Sequence, residues 1–159
     1  MKKISRLFMT LGCLCILVSC CLFGYSQYHQ YKEIKNMQTL YEETIPLIPD
    51  NYISSQGGYL DLQGHYIEAV LEVGSIHWVI GDEETLPHYK NKNIVIPDLY
   101  LKEVQKINSQ DVLTIHSISG AKKIYLCEVI GEVDTLSQDT LVMYCKSGSS
   151  YYCINLIKV

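Results

Sequence analysis

From Gly58 to Val159 the chain is divided into short runs of β-branched and aromatic residues separated by Gly, Asn, Asp and Ser. This spacing limits the possible folds more than any other feature. "GYLDLQGHYIEAVLEVG" holds two such runs divided by Gly64, and "HWVIG", "NIVIP", "DVLTIHSI", "KKIYLCEVIGEV", "TLVMYC" and "YYCINLIKV" follow. Together they make about eight strands in about a hundred residues, the pattern of an antiparallel barrel or sandwich. Only "YLKEVQKIN" interrupts the series. Its Leu101, Val104 and Ile107 recur every third residue, which predicts a short helix between strands. The 13 tyrosines against 2 phenylalanines suit strands with one wet face, because Tyr buries its ring and keeps its hydroxyl hydrated.

The first two dozen residues follow a different pattern. In "MKKISRLFMTLGCLCILVSCCLFG", Lys2, Lys3 and Arg6 precede an uncharged, mostly apolar run from Leu7 to Gly24. A run of about 17 to 25 such residues can cross a bilayer. The basic residues before it would hold the N-terminus in the cytoplasm and leave the rest of the chain outside. A cleaved signal is the alternative, because "LVSC" ending at Cys20 is similar to a bacterial lipobox. Against it, the apolar run continues through Cys21, Leu22 and Phe23, where a polar sequence should begin. Either reading tethers the domain to the outer face of a membrane.

After residue 25, Tyr31, Ile34, Met37 and Tyr41 fall at helical spacing, which predicts a stalk ending at Pro46 and Pro49. "IPDNYISSQGG" then reads as a turn-rich linker. The expected organisation is an anchor or signal over 1–25, a helical stalk and linker over 26–49, and one β-domain over 50–159. A total of 159 residues leaves room for one core. Hydrophobic residues at 48%, charged residues at 19% and a formal charge of -4 fit a folded domain, and that charge balance argues against a nucleic-acid partner.

Of the 7 cysteines, Cys13, Cys15, Cys20 and Cys21 belong to the anchor, leaving Cys127, Cys145 and Cys153 in the domain. The odd number implies at least one thiol unpaired within the domain. No CxxC pair and no His/Cys cluster has metal-site spacing, so neither a metal nor a cofactor is expected. Cys145 ends an apolar run beside the "KSGSS" loop. It is either a small buried hydrophobe or a nucleophile presented by a rigid strand.

The order of these pieces resembles a sortase, the membrane-anchored cysteine transpeptidase of Gram-positive cell surfaces, from the anchor to the last residue. "GGYLDLQGHYIEAVLEVG" is similar to the family's opening strands, "GSIHW" to its G-x-G-H stretch and "KNKNIVIP" to its N-x-V-I strand. "LYLKEVQKINSQDVLTI" resembles F-x-x-L-x-x-L-x-x-G-D-x-I-x-I, with Asp111 in the place of its aspartate. "TLVMYC" resembles the T-L-x-T-C signature with one extra residue, and "YYCINLIKV" resembles the closing R-L-V-V-x-A-K-R-V strand.

The resemblance implies a mainly β fold: a closed antiparallel sortase-like barrel of about eight strands with one or two short helices, after an N-terminal membrane helix. It also implies a chemistry. A cysteine thiolate cleaves an LPXTG-type sorting signal and holds it as a thioester, a histidine moves protons, and an arginine stabilises the oxyanion. Cys145 falls at the nucleophile's place. The histidine should follow the N-x-V-I strand, yet Ile96 is followed by Pro97, Asp98 and Leu99. The arginine should open the last strand, where this chain has Tyr151, and its sole Arg is Arg6. His88 and His116 are the candidate bases, ahead of His65 and His77. Lys146, Lys122 and the Tyr151 hydroxyl are the candidate oxyanion donors.

Three functions remain open at this point. One is a divergent transpeptidase joining a surface or pilin protein to a cell-wall precursor or pilin amine. The second is an inactive sortase-like domain that binds a sorting-signal peptide as an accessory factor. The third is a small surface lipoprotein attached through Cys20.

Overall fold

The computed structural model describes residues 2–49, 58–82, 85–134 and 141–159. The expected linker falls almost wholly outside these residues. Helix α1 spans Lys2–Thr44 and is followed by a 3-10 turn, Ile45–Leu47, where Pro46 ends the α-helical hydrogen bonding. The chain divides into two compact units, Met1–Lys35 and Asn36–Val159. In the first unit, Leu14, Leu17, Leu22 and Phe23 are all exposed. The helix there is long and apolar enough to cross a membrane, with a mean hydropathy of 1.6 over its best window, a property it shares with signal sequences.

The second unit is mainly β. Its strands are β1 (Leu60–Leu62), β2 (His65–Val73), β3 (Ile76–Gly81), β4 (His88–Lys90), β5 (Asn93–Ile96), β6 (Val112–Ser117), β7 (Lys122–Val133), β8 (Val142–Ser147) and β9 (Ser150–Lys158). The expected interruption is present as a 3-10 turn, Asp98–Tyr100, running into the single-turn helix α2, Leu101–Val104. The additional strand is β4, a short run with no apolar alternation to announce it.

Among the described residues nine strands form one sheet, ordered β1-β2-β6-β7-β9-β8-β5-β4 with β3 on the other edge of β2. It curls into a half-barrel. Every ladder is antiparallel except β5 with β8, which is parallel and matches Ile96 to Cys145. This parallel pair departs from the all-antiparallel expectation. A parallel neighbour needs a long crossover, and the segment from Pro97 to Leu141 supplies one.

Partner residues in adjacent strands share a face, so the register divides the side chains into two sets. On the inner face Leu71 matches Ile115, Leu113 matches Tyr125, and Cys127 matches Leu156. Ile154, Met143 and Ile94 continue the same face. All of these are buried and form the core, which Tyr100 and Val104 close from the segment after β5.

The outer face of β2 and β3 is covered by the C-terminal turns of α1. Met37 and Leu40 are buried there, and the Val79 backbone N–H donates to Met37 Sδ at 3.3 Å. The Tyr41 hydroxyl donates to Glu72 Oε1 at 2.5 Å, and its ring stacks on His77 at 4.7 Å. Burial, reinforced by the Glu72 carboxylate, raises the Tyr41 phenol pKa, so it remains a donor at neutral pH. The spacing of Met37 and Tyr41, read from the sequence as a stalk stripe, is the face that packs on the sheet.

Candidate functional site

Cys145 lies near the end of β8, level with Ile96 on one side and Tyr152 on the other. Both of its neighbouring strands are continuous here, and the turn Asp98–Tyr100 packs against β8. Its exposure is 0%. The thiol donates to the Pro97 carbonyl at 3.4 Å and lies 3.7 Å from the Lys146 carbonyl. Burial, and then the negative charge of Asp98, raise its pKa from 9.0 to about 12. An activated cysteine requires the reverse, a neighbouring cation, base or helix N-terminus that favours the thiolate. At this place the chain offers backbone carbonyls and an acid.

The candidate partners lie on the other face. His88 matches Val95, which matches Tyr144, the residue before Cys145, so alternation puts His88 on the outer face. Its Nδ1 is 3.0 Å from the Leu86 carbonyl. His116 matches Val70 and Lys122, also on the outer face, and its Nε2 lies 3.8 Å from Glu72 Oε2. Tyr151 matches Lys146, so both of these candidate donors face outward as well. His77 is stacked on Tyr41, and His65 opens β2 opposite Leu62. The structure therefore brings none of His88, His116, His77, Lys122, Lys146 or Tyr151 to the face that carries Cys145.

Instead, Tyr151 meets Tyr144. Their rings are perpendicular, with centroids 5.7 Å apart. Tyr144 was not singled out from the sequence, although a signal existed. Without the extra residue, "TLVMY" puts Tyr144 where the T-L-x-T-C signature has its cysteine. Burial, and then Tyr151 and Cys153, raise the Tyr144 pKa, and its ring faces that of Tyr151 on the outer side of the sheet. Such a pair can stack and hydrogen-bond, and it has no nucleophile.

The other domain thiols are also buried and free. Cys127, on the inner face, is pushed up to about 11 by burial and by Asp111. Cys153 matches Tyr144 on the outer face and is likewise raised by burial. Cys145 and Cys153 face opposite sides of the sheet, which rules out a bridge between them without rebuilding the strand. Among the described residues no group of three or more His, Cys, Asp or Glu is placed to hold a metal ion.

No family model matches the chain, and no curated protein matches it. Among solved structures it is similar to sortase A from Corynebacterium diphtheriae, with 14% identity, 82% of this chain and 84% of that chain covered, and a TM-score of 0.48. It is also similar to sortase C from Clostridium perfringens SM101, with 12% identity, 82% and 88% covered, and a TM-score of 0.42.

Proposed function

We propose that this chain is a sortase-like domain, tethered by its N-terminal helix to the outer face of a Gram-positive cell membrane, that binds an extended peptide of sorting-signal type without cleaving it. The ordered resemblance of its segments to cysteine transpeptidases supports the family. The apolar run of the N-terminal helix, with Lys2, Lys3 and Arg6 at its start, supports the tether and its orientation. The observation that carries the loss of catalysis is the state of Cys145: wholly buried, donating to a carbonyl, beside Asp98, and separated by the sheet from His88, His116, Lys122, Lys146 and Tyr151. The Tyr144–Tyr151 pair supports binding, because half-buried phenols beside strand ends suit an extended peptide.

The test is alkylation of the full-length chain in detergent micelles with iodoacetamide from about pH 6 to 10, read at each cysteine by peptide mass mapping. Cys145 should remain unlabelled until denaturant is added, and an LPXTG-type peptide should bind and be recovered intact. Fast labelling of Cys145 with an apparent pKa well below the ordinary value of about 8.5, or release of a cleaved peptide, would restore the transpeptidase reading.

A further inference from the structure

A cavity lies on the inner face, and Cys145 is not among the residues that line it. Lys123 near the start of β7 lines it, whereas Cys145 is level, through Tyr152, with Glu132 near the end of that strand. Along β7 the two levels are about nine residues apart, roughly 30 Å at the usual rise, whereas on the opposite wall Tyr89 is level, through Ile94, with Met143, two residues before Cys145.

This end of the inner face departs from the rest of the core. Ala69 faces Ser117 across the β2/β6 ladder, and Ile115 faces Lys123 across β6/β7. Two small residues and one lysine occupy positions that elsewhere hold Leu, Ile or Tyr. The result is a cavity of about 350 Å³, within the size range of small-molecule sites, roughly 300 to 1,000 Å³.

The charge distribution there is specific. Between Ile67 and Ala69 the β2/β3 register slips by one residue, making Glu68 the extra residue of a β-bulge. A bulge breaks alternation and re-aims a side chain, and Glu68 lines the same cavity as its neighbour Ala69. Tyr89 of β4 enters from the opposite wall. Burial, then Tyr125 and Glu68, raise its phenol pKa to about 12, which keeps it a neutral donor. A carboxylate and an ammonium thus line one small cavity, and no ion pair joins them among the described residues. Between them are the apolar Ala69 and Ile115 and the hydroxyl of Ser117. The exposed ring of Tyr59 stands at the rim, where it can cover a bound ammonium group.

From this juxtaposition we propose that the cavity binds a small zwitterion, a free α-amino acid or dipeptide, with its ammonium group on Glu68 and its carboxylate on Lys123. The Ser117 and Tyr89 hydroxyls complete the hydrogen bonding of the carboxylate, and the apolar floor takes a small side chain. Glu68 and Lys123 are both exposed at the mouth of the cavity, so selection comes from pairing: a zwitterion meets both charges at once, a singly charged ligand meets one and a neutral sugar meets neither. Cys145 is not among the residues that line the cavity, so the thiol takes no part in holding the ligand.

Saturation-transfer difference NMR tests this on the full-length chain in nanodiscs, with a mixture of the twenty α-amino acids, Gly-Gly and Ala-Ala as the probe. At least one of these should receive saturation, and its Nα-acetyl and C-amide forms should bind at least tenfold more weakly. Glu68→Gln and Lys123→Met should each weaken binding by a similar factor, while Cys145→Ala leaves it unchanged. Four results would each overturn the proposal. These are no transfer to any zwitterion, equal transfer to the blocked forms, stronger transfer to a neutral disaccharide such as maltose, or wild-type binding by both charge variants.

Discussion

Alkaline titration of Cys145 gives the strictest check on its burial. Its folded-state pKa is raised from 9.0 to about 12, so the folded chain holds a proton that the unfolded chain releases. The resulting stability is fully present below about pH 9 and is lost as the pH climbs towards 12. At about pH 10.5 an ordinary thiol is mostly ionised and Cys145 is not, a difference on the order of 2 kcal/mol in favour of the unfolded state relative to neutral pH. Cys127 and Tyr89 titrate in the same direction, so the decisive quantity is the difference between wild type and Cys145→Ala. Cys145→Ala cannot ionise at this position and should lose about 2 kcal/mol less between pH 8 and 10.5. With a urea m-value of roughly 1 to 3 kcal/mol/M, the two midpoints should draw together by about 1 M over that range. Parallel pH profiles for the two chains would refute the reasoning. They would mean that the folded domain accommodates the thiolate, and the thiol would again be a candidate nucleophile.

Two further substitutions probe the frame that holds this face. A Cβ at Gly81 would stand 2.8 Å from Leu86 Cδ1 and 3.0 Å from the Tyr66 carbonyl, so Gly81→Ala should cost about 1 to 3 kcal/mol in urea unfolding and shift the β3–β4 amides in an NMR spectrum. Met37→Leu keeps the buried volume but removes the sulfur that accepts the Val79 N–H. It should cost roughly 1 to 2 kcal/mol and raise the exchange rate of the Val79 amide, and an unchanged rate would show that the thioether contact is packing alone.

Much of the fold was legible because it rests on local periodicity. The alternation in "HYIEAVLEV", the glycine at position 64 and the threefold recurrence of Leu101, Val104 and Ile107 each specify an element within a few residues. The elements then appear in the expected order. Strand β4 escaped because three residues carry no period. The parallel pairing of β5 with β8 escaped because it joins segments far apart in the chain, and pairing direction depends on the path between them.

The candidate site divides along the same line. The sequence by itself determined that a cysteine ends an apolar strand, that no histidine follows Ile96, and that a tyrosine opens the last strand. Only the tertiary structure decided which way each side chain faces. Adjacent residues of a strand point to opposite faces, so a one-residue difference in register exchanges Tyr144 for Cys145 at the outer surface. The structure puts Tyr144 outside with Tyr151 and Cys145 in the core beneath Pro97. Whether a thiol is a reagent or a packing group depends on its solvent and its neighbours, and these come from strands and turns that sequence spacing does not bring together.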